Sequence, residues 1–115
     1  MTAVVTTQYR RTEETARPTA QEFGLTPQVV PARGSVADHA AAVARAVMLH
    51  AGGTILVVEH FNTIPDIVAA LGAPRPPAIG ETEYDRMTIV SIAWGGKATV
   101  VEARYGAPAP GAAPL

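Results

Sequence analysis

The feature that most constrains the fold is an alternation of short apolar segments with longer segments that favour helix. Ala3–Thr6 is apolar and β-branched, and residues 8–23 after it are rich in Arg, Glu, Gln and Ala. Residues 26–30 and 54–58 are the next two predicted strands, and each precedes another helical pattern. Because residues 54–58 are continuously apolar, we expect them to form a central parallel strand. The order predicts an α/β fold, a three-layer sandwich with a mainly parallel sheet.

Capping residues and prolines set the expected helix boundaries. Ser35 is a candidate N-cap, with Asp38 three residues later, for a helix that continues to about residue 50. Pro65 and Asp66 suit the first turn of the following helix. Pro18 lacks a backbone donor, so we expect it to interrupt the first helix or to begin a second one.

The C-terminal part of the chain predicts a hairpin and a tail. Residues 87–93 and 98–103 are strand-like and flank the turn sequence 94–97, as in a β-hairpin. Residues 107–115 are proline, alanine, glycine and leucine without charge, which predicts a disordered tail. The expected organisation is one domain over residues 1–106 and this tail.

Composition excludes several classes of function. The formal net charge is −1 without a basic stripe, which argues against a nucleic-acid partner, and no apolar run is long enough to cross a membrane. The absence of cysteine removes disulfides, thiolate metal sites and thiol nucleophiles. No histidine pair has metal-site spacing, so we expect no metal and no cofactor. Without a signal peptide, the predicted location is cytoplasmic.

Candidate chemistry follows two predicted strands, because ligands of parallel sheets bind at the carboxyl ends of strands. Arg10 and Arg11 follow the first strand, where a guanidinium can hold a phosphate, although the pattern alone favours ordinary surface pairing with Glu13 and Glu14. His60 follows residues 54–58 and precedes a helix N-terminus, so it could bind an anion or could be bonded to a backbone carbonyl. We interpret His39 and His50 as surface residues.

Four segments in order resemble the histidine phosphatase (phosphoglycerate mutase-like) superfamily over about residues 3–106. They are residues 6–16, 60–65, 83–85 and 104–106. The resemblance implies a phosphate pocket of two arginines and two histidines, in which one histidine of an R-H-G motif is phosphorylated. Arg11 aligns with the second arginine and His60 with the second histidine. Further ligand-binding positions implied are Thr7, Arg10, Asn62, Thr63 and Phe61.

The sequence departs from the family pattern, and the departures shape the expected function. The R-H-G strand and its helix are expected to be missing, so we expect no phosphatase reaction through phosphohistidine. Glu59 replaces the usual glycine, where a carboxylate should repel a phosphate dianion and raise the pKa of His60. Phe61 replaces a small residue and narrows the pocket.

Two main functional hypotheses follow. In the first, a remnant pocket is repurposed for a small, less charged or anionic ligand, with Glu59 and His60 as catalytic acid–base residues or as binding residues alone. In the second, the chain is an inactive fragment of a phosphomonoester phosphohydrolase or phosphoglycerate mutase. A third, structural hypothesis is a small dimerising module.

The expected loss of a central strand also predicts changes in the sheet. The family's R-H-G strand lies between the strand that leads to the second histidine and the closing hairpin. We therefore expect either that residues 54–58 pair directly with residues 87–93 or that a second chain supplies the missing pairing or packing. We also expect a homodimer that covers the bared surface, with Arg11 and His60 near the interface.

Overall fold

The computed structural model describes residues 1–80, 86–93 and 95–104, and its strands form two separate sheets. The strands, numbered in chain order, are β1 (Ala3–Thr6), β2 (Gln28–Val29), β3 (Ile55–Val57), β4 (Arg86–Ile92) and β5 (Ala98–Arg104). The first three form a parallel sheet in the order β2-β1-β3, and the last two form an antiparallel hairpin. The predicted α/β class, parallel sheet and C-terminal hairpin are therefore confirmed.

Helices cover both faces of the parallel sheet. They are α1 (Arg10–Glu22), α2 (Val36–Met48) and α3 (Ile64–Ala70). Successive residues of a strand point to opposite faces of the sheet, and residues of β1 pack against helices on both faces. Val4 packs with Ala16 of α1, whereas Val5 packs with Val43 of α2 and Ile67 of α3. All four residues of β1 are buried, so this short strand is the centre of the core.

Local signals account for most helix boundaries. The Ser35 hydroxyl accepts a hydrogen bond from the Asp38 backbone N–H at 3.0 Å, which confirms the predicted N-cap of α2. Pro65 lies in the first turn of α3, where its missing donor is harmless. The expected interruption at Pro18 is wrong, because α1 continues through it. Pro18 is exposed, so water can solvate the carbonyl whose helical partner is lost.

The predicted position of β3 in the sheet is wrong. β3 was expected at the centre of the sheet, but among the described strands it pairs with β1 alone and lies at an edge. Of the two expected arrangements, direct pairing of residues 54–58 with residues 87–93 is not found among the described strands, where β4 pairs with β5 in a separate sheet. The central position belongs to β1, which pairs on both sides and is buried on both faces.

Several predicted features lie outside the described residues. They are the family-like segment 83–85, Tyr105 and Gly106, Trp94 of the hairpin turn, and the tail 107–115. Arg104, from the last family-like segment, is the final residue of β5. The domain boundary at residue 106 stays a prediction. None of the helices in the described part of the chain is long and apolar enough to cross a membrane.

Candidate functional site

The parallel pairing of β1 with β3 brings Arg11 and His60 together. Arg11 lies in the first turn of α1, shortly after the carboxyl end of β1, and His60 follows the carboxyl end of the adjacent β3. The Arg11 Nη2 atom lies 3.4 Å from the His60 Nδ1 atom. The two residues that the motifs singled out therefore meet at one edge of the sheet, as expected for a ligand site of a parallel sheet.

The hydrogen bonds around His60 assign a proton to its ring. A guanidinium only donates, so Nδ1 of His60 accepts from Arg11 and Nε2 carries the proton. Nε2 lies 3.1 Å from the Thr7 hydroxyl, which lies 2.9 Å from the Thr12 hydroxyl. Thr12 donates to the Tyr9 carbonyl at 2.8 Å, so it can accept from Thr7. This arrangement suits a neutral imidazole whose Nδ1 lone pair faces Arg11.

Electrostatics around His60 favour the same neutral form. Burial lowers the pKa of His60 below its ordinary value of 6.5, and the positive charges of Arg11 and His39 lower it further. Glu59 raises this pKa, as expected, but its effect is smaller than that of desolvation. The expected direction of the Glu59 effect is therefore confirmed, but desolvation makes the net change in the pKa of His60 a lowering.

We expect the His60 ring to titrate below 6.5 in an NMR pH titration of the three histidines. Because the pKa is lowered in the folded state, the unfolded chain binds more protons below 6.5. The contribution of His60 to stability is therefore present above the unfolded-state pKa and decreases as pH falls towards the folded-state pKa. A His60→Gln variant should lose this part of the pH dependence. Titration of His60 above 6.5 would contradict the assigned neutral form.

A second histidine, His39, forms a buried pair with Glu59. Its Nε2 atom lies 2.7 Å from Glu59 Oε1, and its Nδ1 atom lies 3.1 Å from the Pro31 carbonyl oxygen. The two side chains are 3% and 0% exposed. Because both ring nitrogens face acceptors, the geometry suits an imidazolium paired with a carboxylate. The surface interpretation of His39 is wrong, although its helical spacing from Val36 and Val43 placed it on the apolar face of α2.

The Glu59 carboxylate supports the loop that carries His60. The Thr63 hydroxyl donates a hydrogen bond to Glu59 Oε1 at 3.0 Å. The same hydroxyl accepts a hydrogen bond from the His60 backbone N–H at 3.2 Å. His39 thus ties α2 to Glu59, and Thr63 ties Glu59 to the backbone of His60. The positive charge of His39 also offsets the repulsion that Glu59 was expected to exert on an anion.

A cleft of about 820 Å³ opens beside Arg11 and His60. Its lining includes two further arginines, Arg33 and Arg86. Arg86 Nη1 donates to the Pro77 carbonyl at 2.9 Å, whereas Arg33 lies in the exposed loop before α2. Neither arginine was identified from the sequence, although Arg33 follows the carboxyl end of the predicted strand 26–30 and the same rule applies to it.

The predicted ligand-binding residues divide into two groups. Phe61, Asn62 and Thr63 line the cleft, and the first two are exposed there. Thr7 is fully buried, so its hydroxyl holds the His60 ring and is closed to a ligand in this structure. Arg10 pairs with Glu14 at 2.8 Å and is not part of the lining.

Tyr9 is a site residue that the motifs did not single out. Its ring meets the His60 ring edge-on, with 5.2 Å between centroids, and the Arg11 Cζ atom lies 5.8 Å from the Tyr9 centroid. Tyr9 therefore contacts both polar groups of the site from one side. The sequence signal that could have identified Tyr9 is its position between the first strand and the Arg10-Arg11 pair.

The described residues contain no group of three His, Cys, Asp or Glu side chains that could hold a metal ion. Comparison with family models, curated proteins and solved structures gave no match to this chain. The resemblance to histidine phosphatases therefore stays a prediction from the sequence motifs.

Proposed function

We propose that this chain is a cytoplasmic, histidine phosphatase-like domain that lacks the phosphorylated histidine and binds a small anionic ligand. The observation that supports this most is the 3.4 Å approach of the Arg11 guanidinium to the His60 imidazole beside an open cleft. A guanidinium offers a planar fork of donors that matches the oxygens of a carboxylate or phosphate. An oxyanion bound to Arg11 would also lie next to Nδ1 of His60.

The charges around the cleft favour an anion as well. Arg33 adds positive charge to the lining, whereas the charge of Arg86 is offset by Glu102, whose Oε2 atom lies 3.5 Å from Arg86 Nε. The one buried carboxylate of the lining, Glu59, is paired with His39. Attraction between the arginines and an anion is stronger in a partly desolvated cleft than in bulk water.

The same site can support acid–base chemistry. The neutral Nδ1 atom of His60 is a proton acceptor within reach of a group held by Arg11. Glu59 acts in this proposal through the loop that positions His60, since its carboxylate bonds to His39 and Thr63. Phosphohistidine chemistry is not part of the proposal, and an aryl phosphate should leave no acid-labile phosphoprotein.

The proposal is tested by oxyanion binding to an Arg11→Ala variant. We expect sulfate to bind the unmodified chain, and we expect its affinity to fall at least about tenfold in the variant, since hydrogen bonds to a charged group contribute about 1.5–3 kcal/mol. Calorimetry measures both affinities. Arg10→Ala is the matched control, because Arg10 is exposed and paired with Glu14. Absence of sulfate binding, or equal losses in both variants, would contradict the proposed site.

We also propose a homodimer, as expected from the sequence, but with the second copy covering the hairpin rather than the surface near Arg11 and His60. Ile89 and Val101 are cross-strand partners on one uncharged face, 43% and 60% exposed, beside Met87. A two-stranded sheet with one exposed apolar face is marginal by itself.

The expected result is a dimer at micromolar concentration in analytical ultracentrifugation. Val101→Lys should shift the population to monomer, because it would bury an unpaired charge in the interface. Leu49→Lys, at an exposed apolar position after α2, is the control and should leave the dimer intact. A monomeric unmodified chain would contradict this proposal without affecting the ligand site.

A further inference from the structure

Phe61 is an exposed aromatic residue inside the candidate site. Its side chain is 44% exposed and lines the cleft immediately after His60 in the chain. A single exposed apolar residue is ordinary on a protein surface. The position of Phe61 is less ordinary, because it lies in a concave region beside the polar pair formed by Arg11 and His60.

Other apolar groups line the same cleft. Val36 begins α2 and is 37% exposed, and Tyr9 is 48% exposed where it flanks His60. The cleft therefore combines a few convergent polar groups with exposed apolar and aromatic side chains. Sites for small organic ligands have this composition.

The volume of the cleft also exceeds the requirement of an isolated oxyanion. At about 820 Å³ it lies in the range of sites that hold small organic molecules, roughly 300–1,000 Å³. An oxyanion held by Arg11 would occupy a small part of this space. The remaining space lies beside side chains that gain from contact with an apolar group.

We propose that the ligand is an oxyanion attached to an aromatic or similarly flat apolar group, and that Phe61 selects for that group. This inference rests on the proposed oxyanion site at Arg11 and His60. In the bound state the oxyanion accepts hydrogen bonds from Arg11, and the flat group packs against the Phe61 ring. Aromatic pairs in offset or edge-to-face geometry attract each other beyond the burial of their area.

The test compares two ligands that differ only in the apolar group. Phenylphosphonate and methylphosphonate carry the same oxyanion, and neither has an ester bond to hydrolyse. We expect the unmodified chain to bind phenylphosphonate about five- to tenfold more tightly. Phe61→Ala should remove this preference, so that the affinity for phenylphosphonate falls to that for methylphosphonate. Phe23→Ala is the matched control, because Phe23 is 49% exposed and lies at the end of α1, outside the cleft lining.

The outcomes separate this inference from the proposed function. Equal affinities for the two phosphonates in the unmodified chain, or a preference that persists in Phe61→Ala, would overturn the role of Phe61 while the oxyanion site stands. Weaker binding of both phosphonates to Arg11→Ala, together with a preference of the unmodified chain for phenylphosphonate, supports both. If neither phosphonate binds, the oxyanion site itself is wrong and the inference falls with it. The melting temperature of each variant confirms that it is folded.

Discussion

Replacing His39 with leucine is expected to lower the free energy of unfolding by about 3–5 kcal/mol, because it leaves the Glu59 carboxylate buried without its counter-charge. The two side chains are almost fully buried, at 3% and 0% exposure, and their contact is 2.7 Å. Water therefore cannot replace the lost partner without opening the loop before His60. Urea unfolding followed by circular dichroism measures the change.

A double variant distinguishes the effect of an unpaired buried charge from the effect of losing the two side chains. We expect His39→Leu combined with Glu59→Met to recover most of the lost stability, because replacing both ions removes the uncompensated charge. His50→Leu controls for the substitution itself, since His50 lies beyond the end of α2 and its described hydrogen bond to Val47 involves only the backbone. Similar losses in His39→Leu and His50→Leu, or no recovery in the double variant, would contradict a buried ion pair.

The same double variant also reports on the role of Glu59. If Glu59 only positions the His60 loop, a folded double variant should retain sulfate binding that depends on Arg11. If the carboxylate instead contacts the ligand or takes part in catalysis, the folded double variant should bind sulfate with a changed affinity even where its stability has recovered. The two roles therefore differ in a measurement that does not require knowledge of the natural ligand.

Local signals predicted those parts of the fold that depend on neighbouring residues. The run Ala3–Thr6 is buried along its whole length, and Ser35 caps α2, because both properties follow from a few adjacent side chains. Strand order does not follow from such signals. A continuous apolar run such as residues 54–58 suits a central strand or an edge strand covered by helices, so β3 was assigned to the wrong position.

The candidate site was predictable to the extent that its residues follow strands. Arg11 and His60 each come after the carboxyl end of a parallel strand, and this rule brought them together correctly. His39 was missed because its partner, Glu59, lies 20 residues away and a buried ion pair has no local pattern. The lowered pKa of His60 was missed for a related reason, since burial depends on the packing of several elements.

Oxyanion binding is expected to strengthen as pH falls, by up to about tenfold per pH unit below neutrality. In the free protein the pKa of His60 lies below 6.5, and the Nδ1 lone pair faces Arg11. An anion held by Arg11 repels this lone pair but attracts the protonated ring, so binding raises the pKa of His60. Affinity should therefore increase between the pKa of the bound state and that of the free state, and level off below the latter.

Sulfate is the appropriate probe for this linkage, because it stays a dianion from about pH 8 to about pH 5 and contributes no proton of its own. Calorimetry in two buffers of different ionisation enthalpy should show proton uptake on binding in this window. His60→Gln keeps a polar side chain that does not titrate, so the slope of affinity against pH should disappear while Arg11-dependent binding remains. Sulfate affinity that is independent of pH, or a slope that persists in His60→Gln, would show that the Nδ1 atom of His60 does not face the bound anion.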